Sequence, residues 1–292
     1  MEHLIHRLPL EDGISIFLFG DRQEGSQSYV EEAWQEFKNE FRKTKNAYAI
    51  GLGDYADWLR PSMRVRLLEP LSHDSSARQM LDTEIRRGHD KIIDKMEFLK
   101  GRLLGLHEGH HNWGFASGEN TDQRLASALK TTYLGWVASH RLVLFRNQAG
   151  KPSKTYTIVT THGNSNSRNF KASVGWMERS LMESFNADHY VCGHGCKNGN
   201  FEPFERGNIR RTGPAGVDRQ IVRGMLVGGF TRAFTDGWKS DYVERAGLSP
   251  QAMGWGIIRI KRAHTNSLSH LRGLSGRNDS LDIEQVNRNP IF

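Results

Sequence analysis

Five times in this chain a short apolar run ends in glycine beside an aspartate or a histidine. The runs are ISIFLFGD (14–21), AYAIGLGD (47–54), RLLGLHEG (102–109), TYTIVTTHG (155–163) and ADHYVCGHG (187–195). Each has the composition of a buried strand and turns polar only at its end. Helical patterns lie between them. In the longest, 78–100, Leu81, Ile85, Ile92, Met96 and Leu99 share one face. A second covers 28–45, and 121–130 and 172–185 are shorter candidates. Alternation of strand and helix predicts an α/β sandwich with a largely parallel sheet.

After residue 195 the pattern changes. A basic, loop-rich stretch with Lys197, Arg206, Arg210, Arg211 and Arg219 precedes two closing strands, QIVRGMLVGGF (220–230) and GWGIIRIKR (254–262). One domain is expected over 1–262, followed by a polar, poorly packed tail over 263–292. A chain of 292 residues is long enough to bury a substantial core. No apolar run approaches the roughly 20 residues that cross a bilayer, so no membrane partner is expected. The opening MEHLIHRLPLEDG has neither the basic nor the apolar region of an export signal. Two cysteines, Cys192 and Cys196, are too few for a disulfide framework and suit a reducing compartment, which predicts a cytoplasmic location. The net charge of +7 points only weakly to an anionic partner.

Ligands of open α/β sheets bind beyond the carboxyl ends of the strands. Here successive strand ends deliver Asp21, Asp54, the pair His110 and His111, His162 and His194. A single aspartate after a strand usually caps a helix, and a single histidine usually completes a surface or a core. Their succession beside glycines, which let backbone approach closely, points instead to a bound ion or phosphate. Two adjacent histidines in GLHEGHHNW (105–113) pack poorly but ligate and carry protons well. Mixed carboxylate and imidazole suit Mn²⁺, Fe or Zn²⁺ better than the oxygen-preferring Mg²⁺ or Ca²⁺.

The segments FGDRQ (19–23), GDYAD (53–57), GHHN (109–112), TTHG (160–163) and GHGC (193–196) follow one another in a telling order. They resemble the D-x-H, G-D-x-x-D, G-N-H-D/E, lone-histidine and G-H-x-H motifs of the calcineurin-like metallophosphoesterases. That resemblance, spanning residues 14–196, implies a four-layer α/β/β/α sandwich and two divalent transition-metal ions, Mn, Fe or Zn. By the family pattern one ion takes Asp21, Gln23, Asp54 and Cys196. The second shares Asp54 and adds His110, His162 and His194. His111 matches the family's general acid, and Asp57 the carboxylate that orients its imidazole. The departures are Gln23 for histidine, His110 for asparagine, Asn112 for an acid and Cys196 for the last histidine. Gln, His and Cys all keep a lone pair for a metal, so the site reads as re-tuned rather than lost. A thiolate at Cys196 favours zinc or iron; a plain buried thiol beside Cys192 accounts for it equally well.

The implied activity is hydrolysis of a phosphomonoester or phosphodiester by hydroxide held at the metal pair. The basic segment directly after the last motif favours a nucleotide or nucleic acid substrate, although a solvated loop explains it as well. The competing reading is a catalytically silent relative that keeps the fold for binding or assembly; retention of Asp21, Asp54, His111, His162 and His194 speaks against it. His107, Glu108, His140 and His189 read as structural. Trp113, Trp176 and Trp238 read as core residues before they read as base-stacking ones.

Overall fold

The computed structural model describes residues 1–59, 61–71, 75–145, 152–163, 170–194, 198–201, 204–209, 216–232, 253–263 and 281–290. Its strands are β1 (Glu2–Pro9), β2 (Ile14–Phe19), β3 (Ala47–Gly51), β4 (Leu103–Leu106), β5 (Val137–Phe145) and β6 (Pro152–Thr161). They continue with β7 (His189–Cys192), β8 (Gly199–Asn200), β9 (Phe204–Ile209), β10 (Val217–Leu226), β11 (Trp255–Arg262) and β12 (Leu281–Arg288). The helices are α1 (Glu31–Lys43), α2 (Pro61–Leu71), α3 (Ser75–Met96), α4 (Thr121–Ala128) and α5 (Phe170–Met177), the last running into a π turn at Glu178–Met182.

Two sheets form. One has the order β12-β11-β2-β3-β4; the other runs β1-β5-β6-β7-β10-β8, with β9 paired to β10. Neither is largely parallel, which corrects the expectation from strand–helix alternation. β2, β3 and β4 are parallel, but β11 runs antiparallel to β2 and β12 to β11. In the other sheet β5 and β6 are antiparallel, while β6, β7 and β10 are parallel neighbours. For β5 and β6 the physical reason is connection length. Parallel neighbours need a crossover of a dozen residues or more, whereas β5 joins β6 by a short link, as a hairpin can.

The sheets pack face to face. Ile16, Leu18, Ile50 and Ile258 of one meet Leu142, Leu144, Tyr156, Ile158, Val191 and Met225 of the other in a single buried cluster. On the outside of the first sheet, α1 buries Ala33, Trp34, Phe37 and Phe41. These rings pack edge-on against Phe17 and tilted against Phe19 of β2. Helix α3 joins them through Ile92 and Met96. On the outside of the second sheet, Met177, Leu181 and Met182 cover Val159, Tyr190 and Val222. Helix, sheet, sheet and helix make the four-layer α/β/β/α sandwich that the sequence motifs predict.

Two elements differ from expectation. Leu281–Arg288 is an edge strand, paired with β11 along its length, where a loosely packed tail was expected. Arg288 there bonds Glu40 of α1 through both Nε and Nη2, at 2.9 and 2.7 Å. The polar composition of this strand belongs to an edge half-exposed to water. Helix α2 was not anticipated, because its PSMRVRLLEPL pattern mixes arginines with apolar residues around the cylinder. Among the described residues, no helix is long and apolar enough to cross a membrane.

Candidate metal centre

The site lies where the carboxyl ends of β2, β3, β4, β6 and β7 converge at the seam between the sheets. Backbone pairing of β2 with β3 continues beyond both strands. Asp21 N donates to Gly53 O at 3.0 Å, Gln23 N to Asp54 O at 2.9 Å, and Asp57 N to Glu24 O at 2.9 Å. The first two motifs therefore travel side by side. From the other sheet, His162 reaches across and donates Nδ1–H to Leu52 O at 2.6 Å. His194 N donates to the Asp21 carboxylate at 3.0 Å. From β4, Gly109 N donates to Asp122 Oδ2 at 2.9 Å and His111 N to Asp54 Oδ1 at 2.8 Å. All of these bonds but the one from Gly109 to Asp122 join segments more than about 30 residues apart in sequence.

Close approach requires glycine at two of these points. Gly53 has φ +97°, and a Cβ there would lie 2.8 Å from both Glu108 O and His162 Nδ1. A Cβ on Gly109 would lie 2.1 Å from Asp54 N and Oδ1. Asp21, Gln23, Asp54 and His194 all hold positive φ, between 45° and 54°. Left-handed backbone costs non-glycine residues energy, and such strain collects at functional sites.

Asp54, His110, His162 and His194 offer donor atoms that all lie within 4.8 Å of one another. His162 Nε2 is 2.9 Å from His110 Nδ1 and 3.5 Å from Asp54 Oδ2. The Asp54 Oδ2 and His194 Nδ1 atoms are buried without a hydrogen-bond partner among the described residues. Buried polar atoms left unpaired cost free energy. Three imidazole nitrogens and a carboxylate oxygen converging in this way fit a divalent transition ion, which would satisfy both orphaned atoms.

Burial opposes charge on Asp54, but His162 and His111 outweigh it and hold its pKa well below the usual carboxylate range. Burial likewise works against His162, and the charge of the nearby Asp54 carboxylate reverses this, lifting it to about 9. Burial alone dominates at Asp21, raised to about 6, and at His110 and His194, lowered to about 4 and about 3. Next to the cluster, His111 Nδ1 and Asp57 Oδ1 are 2.8 Å apart. Burial lowers the His111 pKa, while the Asp57 bond and the nearby carboxylates raise it further, for a net increase. With Nδ1 committed to Asp57, Nε2 is the atom free to exchange a proton.

The structure thus gathers Asp21, Asp54, Asp57, His110, His111, His162 and His194, and it sets Gln23 alongside Asp54 by a backbone bond. Cys196 lies outside the described residues, as do Lys197, Arg210, Arg211 and Trp238. Arg206 turns away from the centre, its guanidinium on Met182 O at 2.9 Å and the Tyr190 hydroxyl at 3.3 Å. Trp113 is fully buried and donates to Asp82 at 2.8 Å, as expected of a core residue. His107 and His140 are structural as well, meeting at the Thr160 hydroxyl at 2.7 and 3.0 Å. Cys192 is buried.

Sequence reasoning missed three residues. Asp122 is buried in the first turn of α4, where the Asn120–Gln123 capping box makes it look like an ordinary helix-start acid. Its bond to the Gly109 amide is purely tertiary. Arg64 of α2 donates to His110 O at 2.6 Å and to Asn112 Oδ1 at 3.0 Å. Trp136 stands with its ring centroid 4.9 Å from that of His110. A signal for Trp136 was available, since GW opens a strand of clear two-residue alternation.

No family model matches the chain, and no curated protein matches it either. Solved structures do. Vacuolar Protein Sorting 29 from Cryptosporidium parvum is 12% identical over 95% of this chain and 99% of its own, at a TM-score of 0.38. The NAD nucleotidase of Haemophilus influenzae is 12% identical over 95% of this chain and 50% of its own, at 0.41. The calcineurin-like phosphoesterase YfkN of Bacillus subtilis is 11% identical over 95% and 90%, at 0.36. The chain's own four-layer sandwich, with its strand-end motifs gathered at one seam, is the arrangement that its resemblance to the calcineurin-like metallophosphoesterases implies.

Proposed function

We propose that the chain is a metal-dependent phosphoesterase acting on phosphomonoesters or phosphodiesters, with a nucleotide or nucleic acid as the favoured substrate. The observation that carries this reading is the convergence of Asp54, His110, His162 and His194, with two of their buried atoms lacking a hydrogen-bond partner among the described residues. These four residues would hold one divalent transition ion, and Asp21, Gln23, Asp54 and Cys196 are the residues that would hold a second. Ions bound there would supply Lewis acidity toward the phosphoryl oxygens and balance their charge.

The remaining work falls to the chain itself. Asp54 anchors the His111 loop through the His111 amide. Asp57 fixes the imidazole of His111 by the bond to Nδ1, which leaves Nε2 to deliver a proton to the departing oxygen. That is general acid catalysis. A silent scaffold has no use for an imidazole oriented in this way beside the cluster, so the binding-only alternative is the weaker one.

Elemental analysis after loading with Mn²⁺ tests the reading, together with hydrolysis of bis-p-nitrophenyl phosphate, p-nitrophenyl phosphate and single- and double-stranded DNA. Two ions per chain and turnover of at least one ester are expected. A protein that takes up no metal and cleaves none of these would leave only the silent reading.

A further inference from the structure

Beside the cluster stands a large side chain that the chemistry above does not use. Trp136 is 44% exposed, while Trp34, Trp113 and Trp255 are at 2% or less. An indole gains free energy by leaving water, so one held open next to a site calls for a ligand. Its backbone is fixed on both sides. The preceding carbonyl, Gly135 O, accepts from His107 Nδ1 at 2.9 Å and from Glu108 N at 3.1 Å. Trp136 O accepts from the Thr161 hydroxyl at 2.7 Å. The residue therefore springs from a rigid point at the start of β5, between the ends of β4 and β6 that carry His110 and His162.

The ring is tilted 59° to His110 and 54° to His162, at centroid distances of 4.9 and 6.2 Å. At those angles it stacks on neither imidazole, and 44% of the residue stays exposed to solvent beside the cluster. We infer that Trp136 stacks on a planar ring carried by the substrate beside its phosphoryl group, a nucleobase above all, and so sets preference for nucleotides over ring-free phosphoesters. The inference rests on the phosphoesterase reading of the cluster. In a nucleotide a single sugar separates phosphate from base, and the indole stands 4.9 and 6.2 Å from the rings of two cluster residues. Stacking tolerates any base, because each has a π face; little discrimination among the four bases follows.

Adenosine 5′-monophosphate and ribose 5-phosphate share their sugar and phosphate and differ only in the base. Their affinities for the Mn²⁺-loaded protein, by calorimetric titration, should differ about tenfold in favour of the nucleotide, within the range of one base–aromatic stack. Trp136→Ala should erase that difference with metal content unchanged, and Trp136→Phe should keep most of it. Equal affinity for the two compounds with Trp136 in place, or no affinity for either, overturns the proposal. So does an equal loss for both in Trp136→Ala, which would mean that the indole only props His110. Binding is read in a His111→Ala background, which should keep its metal but turn over slowly, and hydrolysis is assayed separately, so nucleotide selectivity in a protein that cleaves no ester would count against the phosphoesterase reading alone.

Discussion

Replacing Gly109 by alanine puts a methyl group 2.1 Å from the amide nitrogen and Oδ1 of Asp54. Ordinary van der Waals contact begins near 3.4 Å, so the two loops must part by about 1.3 Å. Neither partner can yield cheaply. The nitrogen is backbone, and Oδ1 is held by the His111 amide at 2.8 Å. Gly109 itself has no left-handed φ, so the effect is steric and not conformational. Overpacking of this kind typically costs about 1–3 kcal/mol. At roughly 2–4 °C per kcal/mol for a chain of this size, the melting temperature should fall by about 2–12 °C. Activity should suffer more, since a displacement of about 1 Å at reacting groups costs on the order of 100-fold. Gly114→Ala is the control, because a Cβ there meets nothing within 4 Å. Thermal melts, metal content after Mn²⁺ loading and ester hydrolysis should separate the two variants. A Gly109→Ala protein with wild-type metal content and turnover would refute the packing of Gly109 against Asp54.

Three further outcomes are expected. Asp54→Asn keeps the acceptor for the His111 amide but loses the shared anionic ligand, so bound metal should drop measurably by elemental analysis and hydrolysis should disappear; full metal retention would remove the bridging role. His111→Ala should keep its metal and lose about 10²–10⁴-fold in turnover of an alkyl phosphoester, with a smaller loss on a p-nitrophenyl ester and a weaker copy of the defect in Asp57→Asn. An equal loss on both esters would contradict proton donation by His111. Burial holds His107 and His189 down to about 3 and His140 well below its usual value. Between those values and the unfolded value near 6.5 the unfolded chain binds more protons, so stability is complete above about pH 6.5 and falls as pH drops toward 3, by up to about 1.4 kcal/mol per pH unit for each ring. A urea midpoint that stays constant from pH 7 to pH 5 would show that these rings charge freely in the fold.

Much of the architecture was legible in the chain because the signals are local. A buried strand needs apolar residues in succession, and its end needs glycine and polar groups, so the ends of β2, β3, β4, β6 and β7 and the residues they carry could be read one segment at a time. The same locality explains what escaped. Whether two strands run parallel or antiparallel depends on the link and the partner, which composition does not record, and so the mixed sheets came only with the fold. The strand Leu281–Arg288 is polar because it lies at an edge, a fact about its neighbours rather than about its own residues. Asp122, Arg64 and Trp136 are ordinary helix-start, helix and strand-start residues until the packing of two sheets brings Gly109 and His110 beside them. The sequence by itself determined which groups stand at the strand ends: two carboxylates, Asp21 and Asp54, and four imidazoles, His110, His111, His162 and His194. Only the tertiary structure decided that they meet, because the bonds that aim them, from His162 to Leu52, His194 to Asp21 and His111 to Asp54, span 110, 173 and 57 residues of chain.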